Sequence, residues 1–280
     1  MDPIQAEAKR DATMPEIIRV DLHCHSSASD GDHAPGYVAH QLAGAGVTWA
    51  ALTDHNSLGG LADFRSAVER RGMRCVPGVE IHARSPRGPV HLLGYGFDPN
   101  NQALESALKT VHRTWGAALR RWTRRLSSSN REVPVGTKCT PLEGDSARRE
   151  QPDTAEAICL IHEAGGRVFL AHPLAGLKTT ERLEEFLDWL QPQGLDGIEA
   201  YYKLYFRSTQ QELSALAERR GLLTAAGSDF HGLHHSDGTD PGVEMPAEEW
   251  DRFLQALGLT RESDTAMNAL PSLGGGFVSA

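Results

Sequence analysis

Seven apolar runs recur along the chain, most separated from the next by a polar loop, an amphipathic stretch and a glycine. This alternation restricts the fold more than any other feature. The runs occupy 19–25, 47–53, 74–79, 90–95, 167–171, 197–201 and 222–226. Short apolar runs bounded by turn residues predict strands, and apolar residues every three or four positions predict helices. Helices are predicted over 36–45, 61–71, 154–164, 181–190, 208–220 and 247–257. Gly46, Gly72 and Gly221 follow three of them, as suits a residue that enters the left-handed conformation without strain. The fourth strand is reached through Pro86-Arg87-Gly88-Pro89, a hairpin-like turn and not a helix. Such alternation predicts a mostly parallel α/β architecture. No Gly-rich phosphate loop follows any strand, which removes the usual nucleotide-fold readings, and a barrel-like closure fits better than an open doubly wound sheet.

The rhythm breaks between the fourth and fifth strands. Residues 103–126 predict one long helix, with Leu119, Trp122 and Leu126 on a stripe and Arg113, Arg120, Arg121, Arg124 and Arg125 on a solvated face. Residues 127–151 are polar and rich in Ser, Gly, Pro and Arg, which predicts a loop-like insertion or a flexible lid. Residues 1–15 carry no apolar h-region and are expected to be a disordered leader rather than a signal peptide. The tail over 259–280, with its Gly274-Gly275-Gly276 run, is expected to be disordered as well. A chain of 280 residues then accommodates one large α/β domain over 16–258, with an insertion at about 103–152.

Candidate ligands for metal ions lie at or just past the C-terminal ends of these strands. In Leu22-His23-Cys24-His25, alternate side chains share a face, so His23 and His25 point one way and Leu22 and Cys24 the other. Asp30, in the following turn, can reach the same place. Thr53-Asp54-His55 ends the second run and Gly78-Val79-Glu80 the third, while His91 lies in the fourth. Ala171-His172-Pro173 ends the fifth, and Gly227-Ser228-Asp229-Phe230-His231 the seventh. In a (β/α) barrel that end is the mouth where active sites are built. Six histidines and three carboxylates gathered there carry a desolvation cost that metal ions offset. Imidazole and carboxylate donors without thiolate suit Mn, Fe or Zn.

The runs His23-Cys24-His25-Ser26, Ser29-Asp30-Gly31, Leu52-Thr53-Asp54-His55-Asn56, Pro77-Gly78-Val79-Glu80, His91-Leu92-Leu93-Gly94-Tyr95, Ala171-His172-Pro173 and Gly227-Ser228-Asp229-Phe230-His231 resemble the PHP (polymerase and histidinol phosphatase) family, in family order. They look most like its nucleotide phosphoesterase branch, which includes 3′,5′-nucleotide bisphosphate phosphatases and a 5′-to-3′ exoribonuclease. The resemblance implies a distorted (β/α)7, TIM-like barrel with a short, partly helical insertion. It also implies a centre of two or three divalent ions (Mn, Fe or Zn). By that correspondence the ligands are His23, His25, Asp30, His55, Glu80, His91, His172, Asp229 and His231. The stretch between His91 and His172 is short for this branch, and 127–151 does not resemble its inserted helical segment, so the substrate stays open.

The activity so implied is hydrolysis of a phosphate ester of a small molecule by a metal-bound hydroxide. A nucleotide is the leading substrate: a 3′,5′-bisphosphate or a short 5′-phosphorylated oligonucleotide. A sugar phosphate, histidinol phosphate or a phosphodiester is the alternative, and a non-catalytic metal-binding module a more distant one. Metal binding makes hydroxide available near neutral pH. Three divalent ions bring about six positive charges, of which three carboxylates and a hydroxide remove about four, leaving a net attraction for a phosphate dianion.

Asp229, His231 and Asp54 are the expected catalytic groups, although Asp54 could orient a ligand imidazole or cap the next turn. Arg148, Arg149, Lys178 and His235 are candidates for substrate contacts; His33 and His234 are further loop histidines near the mouth. His82 shares a strand face with Glu80 but is expected outside the ligand set, and Glu199 could reach the mouth without any family motif to support it. The net charge of −9 excludes bulk binding to a long duplex, though not a small phosphate ester in a locally positive pocket. No apolar run approaches the roughly 20 residues that cross a bilayer. Cys24, Cys75, Cys139 and Cys159 show no C-x-x-C spacing and read as reduced, mostly buried thiols of a cytoplasmic protein.

Overall fold

The strand Ile17–Asp21 (β1) grows more buried towards the end that runs on into His23 and His25. In the computed structural model, residues 16–111, 151–232 and 240–262 are described. After β1 the helix Pro35–Gly44 (α1) starts on its proline, which lacks the N–H that a first helical turn leaves unbonded. It buries Val38, Ala39 and Leu42. Trp49–Ala50 (β2), the helix Leu61–Glu69 (α2) and Arg74–Cys75 (β3) complete the first half. The predicted third strand is broken at Pro77, so Arg74–Cys75 and the next strand, Gly78–Ser85 (β4), join different sheets. A proline cannot donate to a ladder, and its neighbours part there.

The strand Gly88–Tyr95 (β5) returns from β4 as an antiparallel hairpin closed at Ser85 and Gly88. The helix Thr154–Glu163 (α3) opens with a reciprocal cap: the Asp153 side chain accepts from the Glu156 N–H, and the Glu156 side chain accepts from the Asp153 N–H. Arg167–Leu170 (β6), the short helix Leu174–Leu177 (α4), Thr180–Leu190 (α5), Gly197–Tyr202 (β7), Arg207–Arg220 (α6) and Leu223–Gly227 (β8) follow. The chain closes with Val243–Pro246 (β9), which was not anticipated, and the helix Ala247–Ala256 (α7).

These strands form a mixed α/β structure of two sheets, ordered β3-β2-β1-β9 and β4-β5-β6-β7-β8. The first is parallel except for β9, which runs against β1. In the second, β4, β5 and β6 are successively antiparallel and only β6-β7 and β7-β8 are parallel. Among the described residues the ladders therefore do not continue round as one closed parallel sheet. The hairpin reverses direction, and β2 and β3 have two paired residues each. The sheets instead meet at two single bridges, Cys24 with Phe230 and His55 with Glu80. Backbone bonds reinforce both seams: His25 N–H to the Phe230 carbonyl and Asp229 N–H to the His23 carbonyl at one, Asn56 N–H to the Glu80 carbonyl at the other, each 2.8 Å.

The core runs through both sheets. Tyr95, Phe169, Phe253 and Trp250 pack ring against ring in succession, Trp250 meets Trp49 edge-on at 5.4 Å, and the buried Tyr95 hydroxyl donates to the Leu22 carbonyl. Cys24 and Cys75 are buried free thiols and Cys159 is exposed, while Cys139 lies outside the described residues. Of the predicted long helix, residues 102–111 are helical, with Leu104, Leu108 and Val111 buried. Its remainder, most of the insertion, the leader and the end of the tail lie outside the described residues. Among the described residues no helix is long and apolar enough to cross a membrane.

Candidate metal centre

Strand alternation sorts the first motif as expected: His23 and His25 are fully buried on one face, while Leu22 and Cys24 enter the core on the other. Asp21 clamps this strand end to that of β8, accepting from Ser228 N–H and hydroxyl, from Gly242 N–H and from His23 N–H. The next turn folds back so tightly that a Cβ on Gly31 would lie 2.5 Å from the His25 carbonyl oxygen, which requires glycine there. Asp54 holds the same turn, since its carboxylate accepts from Ser26 N–H, Ser26 hydroxyl and Ser29 hydroxyl at 2.7–2.8 Å. Its hydrogen bonds thus go to the turn that carries Asp30 and not to an imidazole.

Glu80 is the hub. One of its oxygens lies 3.2 Å from His23 Nε2, 3.2 Å from His25 Nε2 and 3.0 Å from His55 Nδ1. The other lies 2.8 Å from His91 Nδ1 and 3.3 Å from His172 Nε2. Asp229 approaches His23 and His25 at 3.3 and 3.2 Å, and its second oxygen accepts from the Tyr202 hydroxyl. Asp30 lies 3.5–3.6 Å from His25, His55 and His231. His172 and Asp229 both hold positive φ, 28° and 57°, a costly backbone for non-glycine residues that is often stored at functional sites.

Among the described residues, three groupings of donor atoms, each within 4.8 Å, emerge: His25, Asp30, His55 and His231; His23, His25, Glu80 and Asp229; and Glu80, His91 and His172. Together they contain the nine residues expected as ligands, with His25 and Glu80 each shared by two groupings. A further grouping joins His82 to His55 and His91. Here Asn56 decides the chemistry. Its Oδ1 accepts the His82 backbone N–H, so its Nδ2 faces His82 Nδ1, and that atom must be an acceptor. The ring proton of neutral His82 is therefore on Nε2, which leaves no lone pair for an ion.

The donor set fits divalent cations. Among the described residues, His23 Nε2, both nitrogens of His25, His91 Nδ1 and both Glu80 oxygens find no hydrogen-bond partner although they are buried. Buried polar atoms are rarely left so, and their convergence marks a place for ions. Protons alone serve the cage poorly. Burial opposes charging His25, yet Asp229 and Glu80 push it up to about 10. Burial holds neighbouring His55 down to about 3 in spite of Glu80 and Asp30. Glu80 is held well below its usual range, against its burial, by His55, His23 and His91.

The floor of the cage (His23, His25, Glu80) is closed to solvent, whereas Asp30, His91, His172, Asp229 and His231 are partly exposed and form its rim. His231 Nδ1 lies 2.8 Å from the Asp229 carbonyl oxygen, which can only accept, so Nδ1 carries the proton and Nε2 the lone pair. Among the other anticipated residues, Lys178 is exposed and ends α4 with φ 66°, and His33 packs on Tyr37. Arg148, Arg149, His234 and His235 lie outside the described residues. Sequence reasoning missed the clamps of Asp21, Asn56 and Tyr202. Glu199, visible only as a carboxylate at a strand end, is fully buried against His23.

The profile of the PHP domain matches residues 21–192. A 3′,5′-nucleoside bisphosphate phosphatase from Chromobacterium violaceum is 31% identical over 253 residues, covering 77% of this chain and 88% of that protein. A 5′-3′ exoribonuclease from Haemophilus influenzae is 27% identical over 259 residues, covering 76% and 90%. Among solved structures, an amidohydrolase from Chromobacterium violaceum with bound sulfate and no metal superposes with a TM-score of 0.68 at 28% identity, covering 85% of this chain and 96% of that one.

Proposed function

This chain belongs to the PHP domain family of metal-dependent phosphoesterases, and from that premise we propose that it hydrolyses a phosphate ester of a small nucleotide, a 3′,5′-bisphosphate or a short 5′-phosphorylated oligonucleotide. The observation that carries this reading is the sharing of Glu80 and His25 among three donor groupings at one solvent-facing cage. Its donors suit two or three ions of Mn, Fe or Zn. Bound there, such ions supply Lewis acidity towards phosphoryl oxygens and make a nucleophile from water near neutral pH.

The chain's own residues do the rest. Glu80, His23 and His25 form a floor that excludes water, and Leu22 and Cys24 pack its reverse side into the core. The rim from His91 and His172 through Asp229 to Asp30 is the side from which a phosphate group approaches. His231, with its proton on Nδ1 and its Nε2 lone pair beside Asp30, would hold an ion at the rim where the phosphate arrives. Asp54 supports that rim through the turn it fixes. Lys178, exposed beyond His172, is the described candidate for a second phosphate. We read the two seams as closure points of a distorted seven-strand barrel, with 16–258 as one catalytic unit. The buried free thiols suit a reducing compartment such as the cytoplasm.

The relative named as an exoribonuclease keeps a phosphodiester substrate in view beside the monoester. Purified protein loaded with Mn is expected to release phosphate from a 3′,5′-bisphosphonucleoside, or mononucleotides from a short 5′-phosphorylated oligonucleotide. The reading fails if metal-loaded protein turns over neither of these. Turnover of a sugar phosphate or histidinol phosphate instead would move the substrate class and keep the chemistry.

A further inference from the structure

We propose that Glu199 is a positioning residue of the metal centre. It fixes His23 with its proton on Nδ1 and its lone pair on Nε2, and it ties that choice to the backbone that carries His172. The inference rests on the metal-centre reading above and extends it to a residue outside the donor groupings.

Glu199 lies in β7 and is fully buried. One carboxylate oxygen sits 2.8 Å from His23 Nδ1, and the other accepts the His172 backbone N–H at 2.6 Å. A carboxylate offers acceptors only, so His23 Nδ1 must donate and the lone pair of a neutral ring falls on Nε2. That is the atom 3.2 Å from Glu80 and 3.3 Å from Asp229, buried and without a hydrogen-bond partner among the described residues. The other oxygen holds the residue whose φ is 28°. One side chain therefore reaches two donor groupings, the one containing His23 and the one containing His172.

Gly227 makes room for the arrangement. A Cβ there would lie 2.2 Å from the His23 Cβ and 2.6 Å from a Glu199 oxygen, so glycine is required for His23 and Glu199 to meet. A carboxylate behind a ligand imidazole fixes its tautomer and raises its basicity.

The decisive variant is Glu199→Gln. The His172 N–H obliges the amide oxygen to face it, which turns the amide NH2 towards His23 Nδ1. The lone pair is then drawn to Nδ1 and the proton to Nε2, away from productive ligation. Expected is an unchanged far-UV circular dichroism spectrum with Mn binding about ten- to a hundredfold weaker by calorimetry. A purely structural role for Glu199 predicts wild-type affinity, because glutamine still accepts from His172. A second measurement needs no variant: in wild-type protein loaded with diamagnetic Zn, 15N spectra of labelled histidines should show His23 protonated at Nδ1 and coordinated through Nε2. Affinity within twofold of wild type in folded Glu199→Gln, or coordination of His23 through Nδ1, overturns the inference alone. Failure of the unmodified protein to bind any divalent ion overturns the metal-centre reading and this inference with it.

Discussion

Sharing sets the rank of the residues in the cage. Glu80 belongs to two donor groupings and Asp30 to one, so their removal should not be equivalent. Glu80→Gln is expected to lower bound metal per chain more than Asp30→Ala, measured by elemental analysis of Mn-loaded protein; equal losses would contradict the shared position. His82→Ala should leave the metal content at the wild-type value, because Asn56 already occupies the nitrogen that carries its lone pair. Thiol chemistry separates the residues of the core from those of the surface. Burial raises the Cys24 thiol and pushes Cys75 up to about 12, so almost no thiolate forms at either near neutral pH. Iodoacetamide and mass spectrometry on native protein should find exposed Cys159 alkylated and Cys24 and Cys75 unmodified. The donors were legible because each is a His, Asp or Glu at a strand end. The residues that aim them were not, since a hydrogen bond such as Ser228 to Asp21 spans 207 positions and leaves no local pattern.

At the scale of elements, the alternation of apolar runs, helical periodicity and closing glycines located most helices and strands to within a residue or two. The failures have physical causes. Arg74 to Val79 reads as one strand in the sequence, but Pro77 divides it between two sheets. Val243–Pro246 is four residues long with only Val243 and Met245 buried, too brief an alternation to distinguish from a loop. Helix α7, which follows it, is held by more than its apolar face. Glu249 accepts from the hydroxyls of Tyr201, Ser214 and Thr224 at 2.5–2.9 Å, joining it to β7, α6 and β8. Glu249→Ala leaves these hydroxyls without that acceptor and should destabilise the fold by about 3 kcal/mol, read as a lower urea midpoint. Metal content should be retained, since none of these groups belongs to a donor grouping.

Across the whole molecule, ions that bind only the folded cage shift the folding equilibrium by mass action. At a free ion concentration of about 100 times Kd, one site adds about 2.7 kcal/mol, which in a chain of this size is a Tm rise of roughly 5 °C. Adding Mn to chelated protein should produce that rise, and EDTA should reverse it. The sequence announced strands whose ends converge, but not that the convergence falls where the two sheets are least tied together. His23, His25, Asp229 and His231 flank the bridge between Cys24 and Phe230, and His55 and Glu80 are themselves the other bridge. A cation gripping these side chains acts as a rivet across a joint that the backbone alone fastens with a few hydrogen bonds. Chelation should therefore loosen the joint before it melts the panels: the amides of His25, Asp229 and Asn56 would exchange with deuterium sooner, while those in the β4–β5 hairpin keep their protection.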